Sequence, residues 1–144
     1  AGGSGYMFRA ATVQDFSAVT GACLLVKTSV WDEVHGLDEA FAVAFNDVDF
    51  CLRVRDAGYR IAWTPYAQLT HYESKSRGGD EKDPVKAARF AAEQQRLYTV
   101  HGKENILDDP YYNPNLTRDR EDFSESDDLR GLKEGRITVR YRGA

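Results

Sequence analysis

The hydrophobic pattern changes character several times along the chain. From Ala18 to Lys27 the run Ala-Val-Thr-Gly-Ala-Cys-Leu-Leu-Val-Lys is apolar without alternation, which predicts a strand covered on both faces. Such a strand requires neighbours. Thr28 or Ser29 then caps a short helix through Val34, with Asp32 and Glu33 in its first turn and Gly36 just past its end. Leu37 to Phe45 reads as a loop. Next, Asn46 offers an N-cap and Asp49 falls at N3, where an acid answers the capping interaction, so a second helix runs to about Ala57 and stops at Gly58. Val48, Phe50, Cys51, Leu52, Val54 and Ala57 form its broad apolar stripe, leaving Asp49, Arg53 and Asp56 on the polar side.

Tyr59 to Trp63 reads as a short strand that Pro65 breaks, after which Ala67, Leu69 and His71 alternate with Gln68, Thr70 and Tyr72. The alternation predicts a second short strand with His71 beside Leu69. Asp83 and Pro84 make an N-cap and N1 pair for a helix to about His101, stopped by Gly102, with Phe90, Leu97 and Val100 as its buried edge. The aromatic stretch from Asp108 to Asn115 is expected to dock on the body. Thr117 to Asp128 is highly charged and predicts disorder, while Ile137, Val139 and Tyr141 alternate as a late strand. There is no internal repeat. Three regions follow: residues 1–17 as a linker or cloning remnant, 18–116 as the folded part, and 117–144 as a charged, mobile tail.

At 144 residues, with 42% hydrophobic and 12% aromatic positions, the composition is that of one globular domain. A net charge of -4 and a pI near 5.4 argue against nucleic acid as a partner, because no clustered basic footprint is present to neutralise phosphates. No apolar run reaches the length of a membrane span, and Ala1-Gly2-Gly3-Ser4-Gly5 lacks the apolar core of a signal peptide. The expectation is a soluble, cytoplasmic protein, peripheral at most to the inner face of the membrane. Cys23 and Cys51 lie inside apolar runs and read as small buried hydrophobes rather than a disulfide or metal clip.

Chemistry concentrates at Asn46-Asp47-Val48-Asp49 and at His71. An acid at a helix start, where the dipole favours negative charge, can abstract a proton, and an imidazole can bind a metal or a phosphate. Both have plainer explanations. Asn at a cap with acids in the first turn is what any helix N-terminus prefers, and a single strand histidine is an incomplete metal site. Lys75 and Arg77, close after His71, can steady a phosphate leaving group or lie solvated in a polar loop.

Taken together, Thr20-Gly21-Ala22-Cys23-Leu24-Leu25-Val26, Val30 to Glu39, Asp47-Val48-Asp49-Phe50-Cys51-Leu52-Arg53-Val54-Arg55, Gly58-Tyr59, Pro65 and His71 resemble the C-terminal half of family 2 glycosyltransferases, which have the GT-A fold. The resemblance covers residues 18–78, and Asp108 to Ser124 is similar to the tail of bacterial members that build O-antigen or rhamnose-rich surface polysaccharides. It implies an α/β chain, a partial GT-A-like mixed sheet with packed helices, from which the nucleotide-binding N-terminal half is absent. It further implies a nucleotide-sugar donor, a glycan acceptor and a divalent cation, Mg or Mn. By matching position, Asp47 is the general base toward the acceptor hydroxyl, and His71 joins the metal and diphosphate with help from Lys75 and Arg77. Gly21, Ala22, Asn46 and Asp49 belong to the acceptor side. Asn46 departs from the family pattern, which has Glu there, so any role needing two adjacent carboxylates is lost.

The implied reaction is inverting sugar transfer onto a growing surface glycan, with the isolated chain expected to be inactive. A rival reading is a noncatalytic interaction module whose open sheet edge recruits a partner or a second copy as a homo-oligomer. A glycoside hydrolase is set aside, because Asp47 and Asp49 stand too close on one helix turn to flank a scissile bond.

Overall fold

The computed structural model describes residues 5–70, 83–120 and 122–126. The chain divides into two units, Ala1–Asp109 and Pro110–Ala144. The architecture is mixed and mostly helical, with a small two-stranded antiparallel sheet. In the first unit β1 (Gln14–Asp15) pairs with β2 (Ala62–Trp63), Gln14 opposite Trp63. The amide of Phe16 extends the pairing by donating to Ile61 O at 3.0 Å. Residues 14–16 thus pair with the body, although they lie in the stretch that reads as a linker.

Among the described residues of this unit the α-helices are α1 (Thr28–Glu33), α2 (Asn46–Asp56), α3 (Pro84–His101) and α4 (Lys103–Leu107). Their ends follow local chemistry. The Asp83 carboxylate accepts the Val85 amide at 2.9 Å and Pro84 stands at the first helical position, so α3 starts where the sequence places it. Gly102, at φ 80°, ends it. Beyond α1 the chain turns through His35 (φ 61°) and Gly36 (φ 65°), and a Cβ on Gly36 would lie 2.9 Å from the Trp31 indole. Only glycine combines that left-handed backbone with so close an approach.

Val30 and Val34 of α1, Phe50, Cys51 and Val54 of α2, and Ile61 before β2 form the core. The Trp31 ring lies tilted against Phe50 at 5.2 Å between centroids. Ala18, Val19, Leu24 and Val26 pack on this core, yet the run from Ala18 to Lys27 is no strand. It is extended chain interrupted by a 3-10 turn at Gly21–Cys23. Leu25 points away from the core and is 98% exposed, and among the described residues Leu25 and Val26 make no backbone hydrogen bond. A strand covered on both faces exists only between neighbours, and among the described residues no strand pairs with this run. Within this run Cys23 is exposed, contrary to expectation, whereas Cys51 is fully buried as expected.

Other elements also differ from expectation. Residues 67–70 are irregular rather than a strand, and Leu69 is exposed; His71 lies outside the described residues, as does the strand expected around Ile137, Val139 and Tyr141. On α3 Leu97 is buried as expected, but Phe90 and Val100 are 50% and 52% exposed. The buried partner of Leu97 is instead Glu93. In the second unit Leu116 and Glu125 form an antiparallel bridge, closed by Thr117 N–H to Ser124 O and Ser126 N–H to Asn115 O, both 2.8 Å. Tyr112 donates its hydroxyl proton to Thr117 O at 2.6 Å and stacks on Phe123. Charge density alone predicts disorder there, and the aromatic pair supplies the order it omits.

Candidate active site

The start of α2 is built on an unusual residue. Phe45 precedes the helix in the left-handed region at φ 63°, and its carbonyl accepts the Asp49 amide at 2.8 Å. The boundary thus falls one residue before the predicted cap, and no side chain caps Phe45. Asn46 instead opens the helix, and its Oδ1 accepts the Asp47 amide at 2.9 Å. Two carboxylates follow in the first turn, and their surroundings differ sharply.

Asp47 is half-buried. Its Oδ2 accepts the Gly21 amide at 2.9 Å and its Oδ1 accepts the Val48 amide at 2.9 Å. One backbone donor on each oxygen fixes the orientation of the carboxylate and leaves lone pairs on both atoms for a further donor. Gly21 lies in contact, since a Cβ there would stand 3.4 Å from Asp47 Cβ. Ala22 is exposed in the same 3-10 turn, with its amide donating to Thr20 Oγ1 at 3.3 Å. Of the residues read from the sequence, the structure brings Gly21, Ala22, Asn46 and Asp47 together.

Asp49, two residues on, is 1% exposed rather than part of a polar face. Arg53 donates to its Oδ2 from Nε at 2.9 Å and from Nη2 at 2.7 Å, and His101 Nε2 meets its Oδ1 at 2.8 Å. A carboxylate only accepts, so the imidazole nitrogen is the donor. Arg53 also donates to the carbonyls of Val34 and, at 2.8 Å, Gly36, closing off the end of α1. The carboxylate therefore ties α2 to α1 and α3. Among the described residues every buried side-chain polar atom has a hydrogen-bond partner.

Sequence reasoning missed His101, Glu93 and the inward turn of Arg53. The available signal was the spacing of Asp49 and Arg53, which suits an i, i+4 ion pair. His71, Lys75 and Arg77 lie outside the described residues. Among the described residues no three His, Cys, Asp or Glu side chains gather into a metal site. Burial pushes the Cys51 thiol up, with the Val19 carbonyl opposing and the Asp47 charge reinforcing the shift. On the surface Arg96 holds the Asp38 carboxyl below its usual value, and Glu33 raises the Tyr59 phenol. No helix among the described residues is long and apolar enough to cross a membrane.

Comparison with known proteins places this arrangement in context. No family model matches the chain, and no solved structure matches it. It is 48% identical over 83% of its length to the uncharacterized protein y4gI of Sinorhizobium fredii, covering 13% of that protein. It is 33% identical over 72% of its length to the O-antigen biosynthesis protein RfbC of Myxococcus xanthus, covering 8% of it. Against the N-acetylglucosaminyl-diphospho-decaprenol L-rhamnosyltransferase of Mycobacterium tuberculosis the identity is 34% over 56% of the chain, or 24% of that enzyme. The chain is thus a distant relative of O-antigen biosynthesis proteins and rhamnosyltransferases, and it spans at most about a quarter of the length of each of these three relatives.

Proposed function

We propose that these residues form the acceptor-side part of an inverting glycosyltransferase that moves a sugar from a nucleotide-diphosphate donor to a growing surface glycan. One observation carries the reading: of two acids in one helical turn, Asp49 is consumed by Arg53 and His101, whereas Asp47 is aimed by backbone amides and keeps lone pairs free. The relationship to O-antigen biosynthesis proteins and rhamnosyltransferases supports the substrate class. We assign the Asp47 site to part of a GT-A domain, as the resemblance of residues 18–78 implies.

In the proposed reaction the acceptor hydroxyl donates to Asp47. As its oxygen attacks the anomeric carbon opposite the diphosphate, the proton passes to Asp47, the carbon–oxygen bond to diphosphate breaks, and the bonding pair leaves with the diphosphate. Configuration inverts in this single displacement. Gly21 and Val48 amides keep the carboxylate from rotating away, and Gly21, Ala22 and Asn46 flank the entering hydroxyl. By the resemblance, His71 with Lys75 and Arg77 would hold the diphosphate, and a Mg or Mn ion there would supply counter-charge.

The test is transfer by the full-length enzyme from a panel of nucleotide sugars. Asp47→Asn is expected to lower kcat by about 10²–10⁴-fold, the usual contribution of a positioned base; undiminished transfer removes Asp47 from that role, and transfer from no donor removes the enzyme reading.

The exposure of Leu25, which with Val26 makes no backbone hydrogen bond among the described residues, favours a second reading, a noncatalytic self-association module. Sedimentation of the 144-residue chain separates the two: concentration-dependent association supports the module, and a strict monomer counts against it.

A further inference from the structure

Three residues of α3 stand four apart, Glu93, Leu97 and His101, and so lie on one face of the helix. Glu93 and Leu97 are its buried residues, and the His101 side chain is buried as well. Both polar members reach the segment that launches α2. Glu93 Oε2 accepts the Ala44 amide at 2.6 Å, and His101 Nε2 donates to Asp49 Oδ1 at 2.8 Å. Arg89 Nε stands 4.0 Å from the other oxygen, Oε1, so the short contact of the Glu93 carboxylate is to a backbone amide. Between the two anchors stand Phe45, held left-handed and tilted against Phe90 at 4.9 Å, and Asn46 and Asp47.

We infer that the Glu93–Leu97–His101 stripe of α3 is a positioning brace for the candidate base: Glu93 holds Ala44, His101 holds Asp49, and together they fix the turn that aims Asp47 at the Gly21 amide. The inference rests on the proposed role of Asp47 only for its catalytic consequence. A buried acid whose short contact is to one amide, with Arg89 only at 4.0 Å, is costly to retain for packing alone, since an apolar side chain of similar shape would fill the space without desolvating a charge. The left-handed Phe45 explains what is gained. A bulky residue at positive φ is strained and persists only where its surroundings over-determine it. The Ala44 anchor on one side and the Asp49 anchor on the other supply that constraint.

The experiment uses amide resonances of the 144-residue chain. Gly21 reports on Asp47 directly, because its N–H is bonded to that carboxylate. In the wild type the Ala44 amide proton is expected far downfield, as a short bond to a carboxylate requires. Glu93→Ala and His101→Leu are each expected to move the Gly21 resonance toward its position in Asp47→Ala. Glu93→Gln and His101→Gln, which retain an acceptor and a donor, are expected to keep it at the wild-type position. The brace is overturned by an Ala44 proton at the random-coil position, by a Gly21 resonance unmoved in a folded breaking variant, or by glutamine variants that move it as far as the breaking ones. Should a breaking variant not fold, the wild-type Ala44 position decides.

In the full-length enzyme Glu93→Ala is expected to lower kcat about a hundredfold at unchanged donor KM, the cost of misplacing a group by an ångström, with Glu93→Gln restoring it. Full transfer by Asp47→Asn would end the base assignment while leaving the resonance test of the brace intact.

Discussion

Helix α2 and the run from Ala18 to Lys27 both present apolar side chains to the same core, yet one is a finished element and the other is not. The helix closes its own backbone bonds, and the polar groups at its first turn are met by Arg53, His101 and Gly21. The extended run has no such recourse, for a strand borrows its hydrogen bonds from neighbours. Ala18, Val19, Leu24 and Val26 pack, and Leu25 stands in solvent. Asp47 joins the two regions through the Gly21 amide, so the candidate base is anchored on a finished element and faces an unfinished one.

Breaking the finished side should do most damage. Asp49→Ala leaves Arg53 and His101 without their carboxylate, and removing one partner of a buried pair costs about 3–5 kcal/mol; chemical denaturation of the chain measures it, and a loss near zero would show that the network contributes nothing. The two cysteines sharpen the contrast. Cys23 on the open run is expected to react promptly with a thiol reagent at neutral pH, whereas Cys51 is buried and its raised thiol stays protonated. Raising the pH past the ordinary value of 9.0 should not free Cys51 until the fold opens. Because a raised thiol is retained in the folded state and lost in the unfolded one, its contribution to stability is full below that value and falls as pH rises. Rapid labelling of Cys51 in the folded chain contradicts this packing. Leu25→Ser should do least, within about 0.5 kcal/mol as for an isolated surface change; a larger loss would mean that Leu25 is covered in solution.

The helices were largely legible in the sequence because their signals are local. Asp83-Pro84 and Gly102 bracket α3 within the chain itself, and Gly36 and Gly58 mark the ends of the shorter helices. The run at 18–27 was misread because its pattern was compatible with a covered strand while the neighbours that make a strand are non-local. The candidate site was half legible. The start of α2 and the Gly21 turn meet through the bond between Asp47 and the Gly21 amide, but polarity placed Asp49 on a polar face when its partners, Arg53 and a histidine 52 positions along the chain, draw it inside. On α3 the aromatic Phe90 and branched Val100 outweighed Glu93 in a hydrophobicity count, although the four-residue spacing of Glu93, Leu97 and His101 marks the buried face.

The division between the two acids of α2 is the centre of this account, and one paired measurement tests it most directly: turnover and denaturation midpoint on the same full-length samples of Asp47→Asn and Asp49→Asn. The account predicts that Asp47→Asn keeps the wild-type midpoint and loses about 10²–10⁴-fold in kcat, while Asp49→Asn loses stability first. Wild-type turnover in Asp47→Asn, or a stability loss there matching that of Asp49→Asn, would contradict it.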